Sequence, residues 1–422
     1  MPQSYLIRNA TLLEKGHSLH SEKIDILIVN GKIAELGKSI KSDVVLIEGE
    51  DLIVSSGWID LRCHLSDPGN EHKDSLGDTL NSAAAGGFTT LVTLPHSEPA
   101  IENKSSVNYL VKSAQDHIVD LMPTGVLSSS ENYENLAELY DMYNAGSVAF
   151  TNGDNAVSNG LLKKALLYTK PFGAIVISHA SDKSLEQKGV VNESETTIHT
   201  GLKTSSSLAE YISVREQIEV AKYCDAPLHF SCISTKESVA LIKQAKKEGA
   251  KITCDVAIAS LCFTDKEILS FDENFKLYPP LRTEKDRKAL IKGLNDGTID
   301  AICSNHCPQN IESKLVEFDY ADFGSLSLQL MLSWYLKHLA SDISMELFVS
   351  SLTSGPGNVL ENVSSTVNKG DSANLIVVDM KAKWTFDAST NKSSSKNSHE
   401  WKKEQVGKVI AVFNNNKINF YN

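Results

Sequence analysis

Four histidines stand at the ends of short apolar runs: His64 in "WIDLRCHLSDP", His96 in "LVTLPHSEP", His179 in "AIVISHASD" and His306 in "AICSNHCPQ". Imidazole is both the commonest protein ligand for transition metals and a general acid–base group near neutral pH. Several imidazoles converging on one spot would suit metal-assisted hydrolysis, in which a dication polarises a carbonyl and activates water. One such histidine is more often a hydrogen-bonded structural residue; four at equivalent places suggest a shared pocket. Their neighbours do not complete a metal site. Arg62 shares a strand face with His64, because side chains alternate along a strand. Asn152 and Asp154 follow the run ending in Phe150, Cys232 follows "HFS", and Asn305 precedes His306. A guanidinium is permanently cationic, and an amide can neither neutralise a metal nor take a proton from water.

These residues need a scaffold that brings strand ends together. Eight short, continuously apolar or β-rich runs are predicted as strands, at 57–64, 88–94, 118–125, 146–151, 173–179, 226–231, 250–257 and 299–304. Helical periodicity fills the intervals, as in 207–224, 235–249 and 283–296. Eight strand–helix alternations in about 300 residues predict a parallel α/β barrel, whose chemistry sits at the C-terminal strand ends. Strand 7 brings Asp255 and little else. His229, on strand 6, is expected to point away from Ser231 and to pack in the core or barrel wall. His17, His20, His72, His117, His199, His338 and His399 fall in loops or on helices and are expected at the surface.

The chain has 422 residues, 41% of them apolar, and a formal net charge of −12. That is enough for a barrel plus a smaller domain, and the acidic balance argues against nucleic-acid or anionic-membrane partners. Without a basic leader or a long apolar run, a cytoplasmic location is expected. The seven cysteines are odd in number and scattered, which favours free thiols over a disulfide framework. Hairpin patterns recur at the two ends, around Asn30-Gly31 in 24–38 and around Asn414–Asn416 in 408–422, with a further strand at 373–380. Neither piece alone could bury its apolar face, so one β-sandwich built from both termini is expected. The Ser/Lys/Asn-rich stretch between them reads as a mobile loop.

Beyond these patterns, the chain resembles the larger, barrel-plus-β-domain dihydroorotases of the amidohydrolase superfamily. The segments "AAAGGFTTLVTLPHSEPAI", "GVVNESE", "YPPLRTEKDRKALIKGLNDGTIDAICSNHCP", "FDYADFG", "LTSGPGNVL" and "KGDSANLIVVD" carry the resemblance over nearly the whole length. It implies a (β/α)8 TIM-like barrel over residues 56–355 and a composite β-sandwich from 1–55 and 356–422. The implied reaction is reversible closure of N-carbamoyl-aspartate to dihydroorotate, assisted by one or two zinc ions and an aspartate base.

Position by position, the resemblance fails at the chemistry. Arg62 stands where the first histidine of a His-x-His pair would, leaving His64. Ser66 replaces the arginine, and His96 the asparagine, that would hold the substrate carboxylate. Asn152 occupies the place of a metal-bridging aspartate and Cys232 that of a strand-6 histidine. Tyr278 replaces an asparagine, and Asn305 the aspartate that is both ligand and base. His179 and His306 are kept. On this reading both metal-site carboxylates have become amides, and Arg62 replaces part of the lost charge. No metal is expected; were one bound, His64, His179 and Cys232 would hold it.

The favoured expectation is a pseudoenzyme of the pyrimidine-pathway family, with no catalytic residue left and a structural or regulatory role. The resemblance implies aspartate carbamoyltransferase as a possible partner and a homodimer as a possible assembly. The alternative is an active amidohydrolase with an altered zinc site, acting on dihydroorotate or another cyclic amide. Thiol chemistry at Cys232 or Cys307, or a sensor holding an anion on Arg62, His96 and His306, are further alternatives. Asp319 and Asp322, in the loop after strand 8, read as packing or solvated residues.

Overall fold

The computed structural model describes residues 4–129, 135–361, 363 and 365–421. Five strands open the chain: β1 (Ser4–Leu12), β2 (Lys23–Val29), β3 (Lys32–Gly37), β4 (Val45–Ile47) and β5 (Leu52–Ser56). The barrel strands follow as β6 (Trp58–Cys63), β7 (Phe88–Thr93), β8 (Asp120–Pro123), β9 (Ala149–Phe150) and β10 (Ile175–Ser178). A small parallel pair, β11 (Val191–Asn192) and β12 (Thr204–Ser205), lies outside the barrel sheets. Then come β13 (Leu228–Phe230), β14 (Ile252–Ala257) and β15 (Ala301–Cys303). The chain ends with β16 (Leu375–Thr385), β17 (Glu404–Asn414) and β18 (Lys417–Phe420).

All eight predicted barrel strands are present, shortened at their ends. They form two parallel arcs, β6-β7-β8 and β9-β10-β13-β14-β15. Single parallel bridges join the arcs, Gly125 to Phe150 on one side and Cys63 to His306 on the other. The ring of eight is thereby complete. Helices cover it outside, and their starts follow from short polar caps. Thr235 caps the helix Lys236–Lys247, and Thr283 with Asp286 forms a reciprocal capping box for Glu284–Asn295.

The terminal β domain is assembled from both ends. Its strands are hydrogen-bonded into one continuous sheet, ordered β18-β17-β16-β5-β1-β2-β3 with β4 on β1. The antiparallel pairing of β5 with β16, Leu375 opposite Ser56, joins the two ends of the chain. Ile7, Ile26, Val54, Leu375 and Phe413 pack together as its core. Both hairpin tips use left-handed residues, Asn30 and Gly31 in one and Asn415 and Asn416 in the other, as tight β-hairpins require. The tips meet: a side chain at Gly31 would collide with Asn416.

The stretch expected to be a mobile loop is instead tied down on the barrel. Asn397 is buried; its Oδ1 accepts from the Gln309 N–H (3.1 Å) and its Nδ2 donates to the Cys307 carbonyl (3.0 Å). The Ser394 N–H and the Ser393 hydroxyl donate to Asp74 (2.8 and 2.9 Å). Nearby His399 stacks on Phe275 and Trp334, and His338 packs edge-on against Phe263. Both histidines are part of an aromatic cluster; His399 is buried there, against the expectation of a surface position, while His338 stays partly exposed. Composition misleads here because short polar side chains can anchor a loop through hydrogen bonds to backbone as firmly as apolar ones do through packing.

Among the described residues no helix is long and apolar enough to cross a membrane. Replacing Asn397 with Ala strands a buried N–H and a buried carbonyl, which costs about 2 kcal/mol. Urea denaturation should show that loss, together with faster proteolysis between 387 and 403. Unchanged stability would refute the clamp.

Candidate functional site

The site is built around a guanidinium. Strand alternation puts Asp60, Arg62 and His64 on one face of β6. Asp60 lies deepest, accepting from the Ser304 N–H (2.7 Å) and so tying β6 to the end of β15. Burial pushes its carboxyl up to about 7, against the pull of the Ser304 hydrogen bonds. Arg62 is wholly buried. Its Nη2 makes a close ion pair with Asp154. Its Nε donates to Asn305 Oδ1 (3.0 Å) and its Nη1 to Ser231 Oγ (3.4 Å). Burial works against its charge and is outweighed by the carboxylates of Asp154 and Asp255, so its pKa stays above the ordinary value.

Asp154 reaches this position by a turn. β9 ends at Phe150, and Gly153 adopts a left-handed φ of 55°. Any Cβ at Gly153 would strike the His96 ring, so glycine is required there twice over. Burial alone would raise the Asp154 carboxyl, but Arg62, His64, His179 and His96 together hold it well below the usual range. Asn152, the sequence candidate on this segment, turns elsewhere. Its Oδ1 accepts from the N–H groups of Leu127 (2.9 Å) and Ser128 (3.2 Å), and its Nδ2 donates to Ser128 Oγ (2.9 Å). Positions 152 and 305 are amides as expected, and the carboxylate in the mouth comes from Asp154 instead.

Three imidazoles surround the pair. His64 Nε2 lies 3.7 Å from Asp154 Oδ2. Burial, together with Arg62 and His96, lowers its pKa to about 4 despite Asp154. His179 faces Tyr278 at 4.9 Å between ring centres, and burial beside Arg62 brings it also to about 4. Its Nδ1 is buried without a hydrogen-bond partner. His306 Nδ1 accepts from the N–H groups of Ser327 (3.0 Å) and Leu328 (3.3 Å). The neutral ring must then carry its proton on Nε2, which is buried and unpartnered. Burial and His64 lower it to about 3.

Asn305 uses both halves of its amide: Oδ1 accepts from Arg62, and Nδ2 donates to the Tyr278 carbonyl (2.9 Å). The Tyr278 hydroxyl accepts from Lys183 Nζ (3.1 Å). A cavity of about 250 Å³ opens above them, lined by His64, Asp154, Tyr278, Asn305, Lys73 and Asp322 among others. Lys73 and Asp322 lie 3.5 Å apart across its rim. Lys73 and Lys183 had no signal in the sequence, since neither sits at a strand end.

His96 and Ser66 stand off the cavity. His96 donates from Nε2 to the Asn152 carbonyl (2.9 Å) and packs over Gly153. Ser66 is buried in the turn after β6, where its carbonyl accepts from Asn70. An anion held jointly by Arg62, His96 and His306 is not supported, because Arg62 is buried and already bonded on every side. Cys307 lines the cavity, but burial pushes its thiol up to about 12, which suits a poor nucleophile. Beneath Arg62, Asp255 is a hub. It accepts from His229 Nε2 (2.9 Å), Ser231 Oγ (3.2 Å), the Cys232 N–H (2.6 Å) and Cys303 Sγ (3.3 Å). His229 and Ser231 therefore point the same way, as residues two apart on a strand do, and not apart as expected.

Comparison with known proteins places this architecture. A dihydro-orotase-like family model matches residues 51–238. The chain is 36% identical to the dihydroorotase of Geobacter metallireducens over 398 residues, covering 93% of this chain and 94% of that one. It is 35% identical to the dihydroorotase of Geotalea daltonii, with 98% of each chain covered. Among solved structures, an L-hydantoinase (dihydropyrimidinase) from Arthrobacter aurescens superposes with a TM-score of 0.84 at 21% identity, covering 99% of this chain and 96% of that one. A dihydropyrimidinase from Brevibacillus agri gives 0.81 at 19% identity, covering 99% and 95%. The two structural matches show that the fold is shared along nearly the whole chain; the full-length relatives show that this chain belongs to the dihydroorotase family.

Proposed function

We propose that this dihydroorotase-family protein keeps the barrel but does not perform zinc-dependent turnover, and that it serves as a structural or regulatory subunit. The observation that carries this reading is the buried Arg62 guanidinium, bonded to Asp154, Asn305 and Ser231. These residues do not fit the family's zinc. A hydrolytic zinc takes about three protein ligands and keeps one open position. Here the carboxylate is engaged by a fixed cation, Asn305 is an amide with both ends used, and Asn152 faces away. Asp154, held low beside the Arg62 guanidinium, is also a weak base.

A second reading is favoured by one observation: the full-length relatives at 35–36% identity bear the name dihydroorotase. On that reading the chain is an active amidohydrolase with an altered site. The neutral rings of His64 and His179 are then the groups able to accept a proton. A partner, aspartate carbamoyltransferase or a second copy of the chain, belongs to the first reading and is tested by co-purification.

Protein purified without chelator should show no interconversion of dihydroorotate and carbamoyl-aspartate in either direction. Turnover that disappears in His179→Ala would establish the second reading.

The site also sets an acid response. His64, His179 and His306 are neutral in the folded state, with pKa values lowered to about 4, 4 and 3. Unfolded histidine titrates near 6.5, so between about pH 6.5 and 4 the unfolded chain binds more protons and stability falls as pH falls. Asp154 works in a lower window: its depressed pKa contributes stability above about pH 4 that is lost on further acidification. Asp60, its carboxyl raised to about 7, binds a proton in the folded state over the same window and offsets one of the three histidines, so denaturant titrations across pH should show a net loss below pH 6.5. The His179→Asn variant should take up about one proton fewer on unfolding at pH 5; an unaltered slope would contradict the neutral imidazole.

A further inference from the structure

Below the mouth lies a group of side chains that the proposed function does not use. Cys232 Sγ and Cys303 Sγ are 3.5 Å apart, and Cys303 Sγ is 3.3 Å from Asp255 Oδ1. One ligand atom from each of the three lies within 4.8 Å of the others, and all three residues are buried. They come from three consecutive barrel strands: the end of β13, β14 and the end of β15.

We propose that Cys232, Cys303 and Asp255 form a binding site for one thiophilic divalent cation, zinc or cadmium, inside the barrel beneath Arg62. Zinc–sulfur bonds of about 2.3 Å and zinc–oxygen bonds of about 2.1 Å set tetrahedral edges of about 3.8 Å between sulfurs and about 3.6 Å between sulfur and oxygen. Two edges, 3.5 Å between the sulfurs and 3.3 Å from Cys303 Sγ to Asp255 Oδ1, match these values contracted by a few tenths of an ångström, and the third, from Cys232 Sγ to the carboxylate, is no longer than 4.8 Å. A cation entering between the three atoms therefore needs only a slight opening.

The carboxylate is already aimed. His229 Nε2 donates to Asp255 Oδ2 (2.9 Å), and Thr253 Oγ1 holds the other ring nitrogen (2.9 Å). Such outer partners fix the orientation of a metal-binding carboxylate. Cys232 sits in the left-handed region at φ 55°, uncommon outside glycine, with its N–H on Asp255 (2.6 Å). That turn brings its sulfur against Cys303.

Charge explains why this place accepts a dication when the mouth does not. Binding exchanges one doubly charged cation for two thiol protons, so the net charge of the buried cluster is unchanged. In the mouth, Arg62 has no proton to give up. Neither Cys303 nor Asp255 lies at a position where the family resemblance expects a ligand, and the proposal does not depend on whether the mouth is active.

The test uses protein expressed in zinc- or cadmium-supplemented medium and purified without chelator. About one equivalent of metal is expected, with ultraviolet thiolate-to-cadmium charge transfer in the unmutated protein. Both should be lost in Cys303→Ser, whose circular dichroism reports folding, and kept in His179→Ala. Metal lost in His179→Ala but kept in Cys303→Ser would place the ion in the mouth and overturn both this proposal and the metal-free reading. Metal absent from the unmutated protein, or cadmium bound without thiolate absorption, would overturn this proposal alone.

Discussion

A wholly buried guanidinium must be paired and fully hydrogen-bonded, and the mouth of this barrel is arranged around that requirement. Arg62 rises from β6 and reaches three other places: Asp154 after β9, Ser231 after β13 and Asn305 after β15. Each partner depends on a local backbone device. Gly153 turns Asp154 back into the mouth, and Asn305 itself adopts a left-handed φ of 48°. Ser231 is fixed from below by Asp255. Removing one member of such a pair typically costs about 3–5 kcal/mol, because the other is left charged and buried. The pair is therefore a constraint on how the strand ends are placed more than a source of net stability.

Much of this was legible in the residues, and the failures have physical causes. The barrel strands are covered on both faces, so each reads as a short apolar run whose position survives without any alternation. The hairpins announced themselves through Asn-Gly and Asn-Asn tips. The choice between Asn152 and Asp154 was different. β9 is only two residues long, so strand parity no longer governs the side chains three or four positions later. Which of them enters the mouth depends on the turn at Gly153 and on the His96 ring that excludes a side chain there. The loop across 386–403 failed for a related reason. Its serines and asparagines resemble those of a solvated linker, and only the three-dimensional placement of Asp74, Cys307 and Gln309 reveals their partners.

The resemblance to dihydroorotases and the local chemistry of the mouth speak about different layers of the molecule. Superposition on a hydantoinase at 21% identity shows how little sequence the scaffold needs. Its requirements are apolar strands, capped helices and a sheet closed by both termini, all of which this chain meets. Fold alone does not carry chemistry, which resides in a handful of side chains at the strand ends. Those are the positions where Arg62, Asn305 and Cys232 stand.

The substitutions make sense only together. A carboxylate left in the mouth with neither a metal nor Arg62 would be buried and unpaired; Arg62 without Asp154 would be an unpaired buried cation. Each is costly alone, and the pair is tolerable. Arginine does not deprotonate in proteins, and the depressed Asp154 pKa keeps that carboxylate ionised. The Arg62–Asp154 pair therefore keeps both its charges across the neutral range, whereas a metal site is balanced only while its ion is bound. The Asn305 amide completes the arrangement by accepting from Arg62 while donating to the Tyr278 carbonyl, a double role that an ionised carboxylate, having no donor, could not fill.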